Sequence, residues 1–149
     1  KNLQFELVPN YQQMIEGIIR FGKDKQLIEN EISCYNLQGY ERFVEHLKNL
    51  IPEKGEYHIP SIFCVYEHSV LMLKRLHFLN NIFEINSELI LQYDKLVKKY
   101  EKIKNLAMKY NTIREEELAN RIVDSFENAI MNERRIMSKI GDELTQLNS

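Results

Sequence analysis

A stripe of mostly apolar residues through the last third of the chain is the feature that most limits how the chain can fold. Its members recur in steps of four and three: Ala119, Val123, Phe126, Ile130, Glu133, Met137, Ile140, Leu144 and Leu147. This spacing places them on one face of a long helix that packs along its length against a partner. Glu133 is the one ionisable residue of the stripe. Because a carboxylate buried alone is costly, Glu133 needs a partner, a proton or access to water.

The segment before this stripe carries a second stripe with the same spacing. Its apolar positions are Leu89, Tyr93, Leu96, Tyr100, Ile103, Ala107 and Tyr110. Thr112 and Glu115 then have the spacing of a capping box, which favours the start of a new helix. Because only Asn111 separates the two predicted helices, we expect residues 89–110 and 118–147 to form an antiparallel hairpin. The residues expected inside it are Tyr93, Tyr100, Phe126 and Ile130.

A third segment, residues 61–81, is apolar on nearly every side. Its apolar residues are Ile62, Phe63, Val65, Tyr66, Val70, Leu71, Met72, Leu73, Leu76, Phe78 and Leu79. A helix that is hydrophobic all round normally lies inside its domain. We therefore predict that this segment is the buried central helix, with Ser61 as its N-cap.

The rest of the chain is predicted as shorter elements. They are an extended strap over residues 1–8, a helix from Asn10 to about Gly22, a short amphipathic piece over residues 26–32, a helix from Asn36 to Pro52 and a loop over residues 52–60. With 149 residues, of which 44% are hydrophobic, the chain has the size of one domain with one core. We therefore predict an all-α fold, a single-domain helical bundle over residues 1–149 with a central buried helix and a C-terminal antiparallel helical hairpin.

Charge and cysteine content narrow the class of protein. The 20 basic and 22 acidic residues nearly cancel, which gives no reason to expect a nucleic-acid partner. No apolar run approaches the ~20 residues that span a bilayer, so we expect no membrane partner. Cys34 and Cys64 lie in dissimilar contexts without a C-x-x-C pair, which is typical of reduced thiols and predicts a cytoplasmic protein. Since the chain begins with Lys1, we expect it to be a C-terminal fragment of a longer protein.

Three polar residues are candidates for a contact inside the bundle. His68 and Arg75 are seven residues apart on the predicted central helix and share one of its faces. Arg75 is the expected partner of Glu133, with His68 as the second choice. Such a contact would be an interhelical ion pair that sets the packing register, or part of a polar pocket that binds a ligand. The remaining alternative is that Glu133 faces a gap filled with solvent.

The sequence lacks the common signatures of catalysis and of metal or cofactor binding. A di-iron or di-manganese bundle needs Glu-x-x-His on two helices, and this pattern does not occur. Glycine-rich phosphate loops and the Gly-x-Ser-x-Gly elbow are also missing. Cys64 lies one turn before His68, but on an apolar helix a thiol usually acts as a small hydrophobic side chain. We predict no catalytic, cofactor-binding or metal-binding residue, and no acyl-transfer or peptidase activity of the isolated chain.

Lysines concentrate towards the end of the penultimate helix, and glutamates open the last one. The candidate docking face is formed by Lys95, Lys98, Lys99 and Lys102, with Lys104 and Lys109 further along. Each set of charges lies at the favourable end of its helix macrodipole, which is a sufficient structural explanation. The alternative is that the lysines dock an acidic partner.

Three stretches carry a resemblance to a known family. They are FELVPNYQQMIEGIIRF, NLQGYERFVEHLKNL and LKRLHFLNNIFEI, in this order, and they cover much of the first 85 residues. In their pattern of aliphatic, aromatic and glycine positions they resemble the C-terminal helical region of butirosin biosynthesis protein H-like proteins. The resemblance implies an N-terminal half that looks like a papain-type cysteine fold and is associated with acyl transfer from a carrier protein to an amine. This chain lacks that half, so no catalytic residue carries over.

The resemblance implies a role as the helical companion of a catalytic domain. We expect a non-catalytic accessory domain of a cysteine-type acyltransferase or peptidase-like protein, which aids substrate enclosure or carrier-protein docking. Its partners would be the upstream catalytic domain and an acidic carrier protein. The alternatives are a free-standing interaction module that forms a homodimer through the hairpin, and a bundle that binds a small molecule at His68, Arg75 and Glu133.

Overall fold

The computed structural model describes residues 11–23 and 37–147, and over these residues the protein is an all-α bundle, as predicted. Its helices are α1 (Tyr11–Lys23), α2 (Leu37–Leu50), α3 (Ile59–Asn80), α4 (Ser87–Ile113) and α5 (Glu116–Leu147). The predicted strap over residues 1–8 and the predicted piece over residues 26–32 lie outside the described residues. Within the described part, no helix combines the length and apolarity needed to cross a bilayer.

The central helix of the bundle is α5. It packs against α1, α2 and α4, so its buried surface is wider than the predicted stripe and also takes in Ala129, Ile136 and Gly141. All members of the stripe are buried except Leu147, near the end of the helix. The pattern had identified one face of α5, and contact with three helices buries its flanks as well.

The prediction that residues 61–81 form the buried centre is wrong. In the described part of the chain, the main packing partner of α3 is α4. Its buried positions form one narrow stripe: Ile62, Val65, Ser69, Met72, Leu76 and Leu79. On another side Leu71 is 45% exposed, and the rings of Phe63 and Tyr66 lie under the Lys104 ammonium, 5.0 and 4.4 Å away. A helix with apolar residues all round can leave many of them half-buried, because apolarity does not determine how many neighbours a helix has.

The antiparallel hairpin of α4 and α5 is present as predicted. Side-chain contacts between the helices pair Lys99 with Asn128 and Gln92 with Arg135, so one residue number rises as the other falls. Near the open end, the Asn86 backbone N–H donates to Glu143 at 2.9 Å. The residues predicted inside, Tyr93, Tyr100, Phe126 and Ile130, are all buried.

The turn of the hairpin differs from the prediction. The helix α4 continues through Thr112 to Ile113, so the predicted capping box does not form. It ends because Arg114 adopts a left-handed conformation with φ of 59°, and its backbone N–H bonds the Tyr110 carbonyl. Asn111, predicted as the separator, instead holds the preceding loop: its amide accepts from the Tyr57 N–H at 2.8 Å and donates to the Tyr57 carbonyl at 2.9 Å.

Helix α3 also begins earlier in the chain than predicted. The N-cap is His58, and Pro60 occupies the first turn, where its missing N–H costs nothing. Ser61, the predicted cap, lies inside the helix and hydrogen-bonds His58 Nδ1 at 2.8 Å. The capping signal was thus within three residues of the true helix start.

Candidate functional site

Glu133 lies in the interior of the hairpin with no exposed surface. The Tyr93 hydroxyl donates to Glu133 Oε2 at 2.5 Å, and the Tyr100 hydroxyl donates to Oε1 at 2.6 Å. The two tyrosines are two turns apart on the face of α4 that packs against Glu133. Each oxygen of the carboxylate receives one donor.

The expected contact between Glu133 and Arg75 is wrong, and so is the second choice, His68. Both residues lie on α3, which packs mainly on α4, whereas Glu133 projects from α5. Among the described residues, the hydrogen bonds of the carboxylate come only from Tyr93 and Tyr100. The signal that was missed is the position of two tyrosines, a heptad apart, on the stripe that faces Glu133.

Burial dominates the ionisation of this cluster. It raises the pKa of Glu133 from 4.5 to about 7, although the hydrogen bonds from Tyr100 and Tyr93 act in the opposite direction. Burial also raises the pKa values of Tyr93 and Tyr100 well above the ordinary value, and the negative charge of Glu133 adds to this effect. The phenols therefore stay protonated donors, while Glu133 changes charge near neutral pH.

A second polar contact adjoins the cluster on the side of α3. The Tyr40 hydroxyl and His68 Nδ1 share a hydrogen bond of 3.0 Å, and the Tyr40 ring packs edge-on against Tyr100 with centroids 6.4 Å apart. Burial, followed by the charge of Arg75, lowers the pKa of His68 from 6.5 to about 4. The imidazole is therefore neutral at physiological pH.

His68 and Arg75 do share a groove, as their spacing predicted. It has a volume of about 470 Å³, and its described lining residues are Cys64, Glu67, His68, Leu71 and Arg75. Glu133 is not among them. The polar pocket thus has two of its three predicted members, and ligand binding there stays a prediction. In the part of the chain that the structure describes, no three His, Cys, Asp or Glu residues cluster as metal ligands.

A different groove runs along the outer side of the hairpin and holds half of the predicted lysine face. It has a volume of about 190 Å³ and is lined by Gln92, Lys95, Leu96, Lys99, Asn132, Arg135 and Ile136. Of the other two predicted residues, Lys98 pairs with Asp94 at 3.4 Å, and Lys102 is exposed one turn beyond Lys99. The α5 wall, with Arg135, was missed because the prediction considered one helix alone.

Among the described residues, neither Lys99 nor Arg135 of this groove pairs with a carboxylate. Lys99 donates to the neutral amide of Asn128, and Arg135 donates to the neutral amide of Gln92 at 3.2 Å. Elsewhere, Lys48 pairs with Glu127 and Arg134 pairs with Glu41, both at 2.6 Å. We call the seven lining residues the basic groove.

No protein-family model, no curated protein and no solved structure matches the chain.

Proposed function

We propose that this chain is a helical accessory domain that docks an acidic partner protein along the basic groove. The observation that supports this most directly is the set of three cations on two facing helices, Lys95, Lys99 and Arg135, without a carboxylate among the groove's described lining residues. Positive charge that no internal anion neutralises attracts an acidic surface and speeds its association.

The pattern of charge extends beyond the groove itself. On α4 the stripe continues from Lys99 to the exposed Lys102, and on α5 it continues from Arg135 to the exposed Lys139, one turn on. On this outer face of α5, the residues that recur at steps of three or four from Asn128 to Lys139 are all amides or cations. An elongated acidic helix lying along the groove would therefore face positively charged side chains along its length.

The resemblance of the sequence suggests which partner this is. We propose an acidic carrier protein, delivered to a papain-like acyltransferase or peptidase-like domain upstream in the same protein. The helical domain would then enclose the substrate or hold the carrier near the catalytic domain. The cysteine pattern supports a reducing compartment, and we propose the cytoplasm.

A binding titration with a purified acyl carrier protein in its unmodified form tests the docking proposal. We expect Lys95→Glu, Lys99→Glu and Arg135→Glu each to weaken binding by about ten-fold or more, because each reverses a charge facing the partner. Higher ionic strength should weaken wild-type binding as well. The matched control is Lys74→Glu, an exposed lysine on α3 away from the groove. Equal losses in control and groove variants, or binding insensitive to salt, would contradict docking at this groove.

A second candidate function, homodimer formation through the hairpin, has one observation in its favour. Met131 on α5 is 69% exposed, the most of any large hydrophobic residue described. It borders a groove of about 430 Å³ between α2 and α5, whose other lining residues are the apolar Val44 and Ile130 and three glutamates, Glu41, Glu45 and Glu127. Sedimentation equilibrium of wild type and Met131→Lys tests this: a dimer that the substitution dissociates supports it, and a monomeric wild type excludes it.

A further inference from the structure

The loop between α2 and α3, residues 51–58, packs against the closed end of the hairpin. Its Tyr57 is buried, and the Tyr57 ring stacks on Tyr110 of α4 with ring centroids 4.4 Å apart. The side-chain amide of Asn111 also binds both the backbone N–H and the carbonyl of Tyr57. Tyr57 therefore anchors this segment, the α2–α3 loop, through its ring and its backbone together.

A second set of contacts joins the α2–α3 loop to the turn of the hairpin. The Arg114 guanidinium donates to the Lys54 carbonyl at 2.9 Å and lies 4.0 Å from the Glu56 carboxylate. In the described part of the chain, Lys54 and Arg114 are the non-glycine residues with positive φ, at 51° and 59°. Because a left-handed backbone is unfavourable for a residue with a Cβ atom, this contact joins two strained positions.

The hydroxyls of Tyr57 and Tyr110 add a further cost to the closed position of the loop. Both hydroxyl oxygens are buried, and neither has a hydrogen-bond partner among the described residues. Two other buried tyrosines of α4 differ in this respect, because the hydroxyls of Tyr93 and Tyr100 both donate to Glu133. A polar group that is buried without a partner loses its hydrogen bonds to water and gains none in exchange.

We infer that the α2–α3 loop is a conformational device that opens and closes over Tyr110 while α2 to α5 stay folded. Opening returns the two tyrosine hydroxyls to water and frees Lys54 from its left-handed conformation, which offsets part of the lost contacts. Segments whose closed state is stabilised so weakly open at a lower free energy than the whole fold. The open state exposes the ring of Tyr110 and the side-chain amide of Asn111. This inference is independent of the docking proposal.

Native-state hydrogen exchange of the full chain, followed by NMR, tests this inference. The reporter is the Tyr57 N–H, which is bonded to Asn111 in the closed loop, and the reference is the Ile130 N–H in the middle of α5. After correction for intrinsic rates, we expect the Tyr57 N–H to exchange at least ten-fold faster than the reference. Arg114→Gly keeps the left-handed turn but removes the bond to Lys54, and should speed exchange at Tyr57 by about ten-fold.

Two tyrosine variants separate opening of the loop from unfolding of the bundle. Tyr110→Phe keeps the stacked ring and removes a hydroxyl without a partner, so exchange at Tyr57 should slow by about ten-fold. The matched control is Tyr100→Phe, which removes a hydroxyl that has a partner. This control should speed exchange at Ile130 and leave exchange at Tyr57 unchanged.

Three results would overturn the inference. Equal corrected rates at Tyr57 and Ile130 in the wild type would show that the loop opens only when the bundle unfolds. Faster exchange at Tyr57 in Tyr110→Phe would show that this hydroxyl stabilises the closed loop. Equal acceleration at Tyr57 and Ile130 in Tyr100→Phe would show that the loop and the hairpin are one cooperative unit.

Discussion

Glu133 and Arg135 are two residues apart on α5, yet their charges are handled in opposite ways. The carboxylate is fully buried and receives hydrogen bonds from Tyr93 and Tyr100. The guanidinium lies on the outer groove of the same hairpin and is oriented by the neutral Gln92. Inside the hairpin an anion is compensated without a cation, whereas the described lining of the basic groove contains cations and no carboxylate.

This difference shows how a hairpin can combine a charged interior with a charged surface. Compensating Glu133 with Arg75 would have required a second ion to leave water, which often costs more than the ion pair returns. Tyrosine instead donates a hydrogen bond from a neutral hydroxyl, and its ring also fills the core. The cations therefore remain on the surface, where they are available to a partner.

The largest expected effect comes from removing the acceptor inside the hairpin. Glu133→Ala leaves the hydroxyls of Tyr93 and Tyr100 buried without their acceptor and opens a cavity, so we expect a loss of about 3–5 kcal/mol in unfolding free energy. Glu133→Gln keeps one acceptor oxygen and adds an amide donor, and should cost far less. Denaturant unfolding measures both, with the exposed Glu117→Ala as control. Equal losses in the Ala and Gln variants would show that the charge itself, rather than the hydrogen bonding, is required.

The pH dependence of stability gives the next largest effect. Because the pKa of Glu133 is about 7 in the fold and 4.5 ordinarily, the folded protein holds a proton that the unfolded chain has released between these values. The stability that the folded protein gains from holding this proton is fully present below pH 4.5 and is lost as the pH rises through 7. The wild type should therefore lose roughly 3 kcal/mol relative to Glu133→Gln over this range, at ~1.4 kcal/mol per pKa unit.

His68 should act in the opposite direction. Its pKa is about 4 in the fold and 6.5 ordinarily, so the unfolded chain binds a proton that the folded protein does not, and stability rises with pH through this window. The two contributions largely cancel in the wild type. The Glu133→Gln variant should therefore become less stable as the pH falls, because only the His68 contribution remains. The His68→Gln variant should become more stable as the pH falls, because only the Glu133 contribution remains. Parallel pH profiles for the wild type and Glu133→Gln would contradict a buried carboxylate that titrates near neutrality.

A double-mutant cycle measures which residue compensates Glu133, with a smaller expected effect. Glu133→Ala and Tyr100→Phe should be coupled by about 1–2 kcal/mol, because each change removes the hydrogen bond that the two side chains share. Glu133→Ala and Arg75→Leu should add within about 0.5 kcal/mol, since they are not in contact. Coupling to Arg75 as strong as that to Tyr100 would restore the original ion-pair hypothesis.

The smallest expected effect on stability concerns the outer groove. Lys95→Gln, Lys99→Gln and Arg135→Gln should each change the unfolding free energy by no more than about 0.5 kcal/mol, because none of them breaks an ion pair. Arg134→Gln, which loses its contact with Glu41, should cost somewhat more, up to about 1 kcal/mol. Thermal unfolding compares the four variants. A large loss in the groove variants would mean that these cations serve the fold instead of a partner.

Local patterns predicted the elements that depend on one helix and its period. Apart from Leu147, the stripes of α4 and α5 are buried as their spacing indicated, and Pro52 follows the end of α2. The capping box at Thr112 failed because a competing stop, the left-handed Arg114, lies two residues later. Short capping signals compete within a few residues, and the tertiary contacts of Asn111 with Tyr57 favour the longer helix.

These local patterns did not identify the central helix correctly. Apolarity around α3 exceeded that of any other helix, yet α5 is the helix with three neighbours. The hydrophobic effect is non-directional and shows which residues prefer burial, whereas the number of neighbours depends on how all the helices pack together. The basic groove was half predicted for the same reason, since one of its walls belongs to a second helix.

Glu133 separates the two kinds of information most clearly. The sequence alone determined that this carboxylate lies on a buried stripe and needs compensation, because the period of the stripe and the cost of burying a charge are both local properties. Only the tertiary structure decided that the compensation comes from Tyr93 and Tyr100, which are 40 and 33 residues away along the chain. The antiparallel register of α4 and α5 brings them together, whereas Arg75 lies on α3, whose main packing partner among the described helices is α4 and not α5.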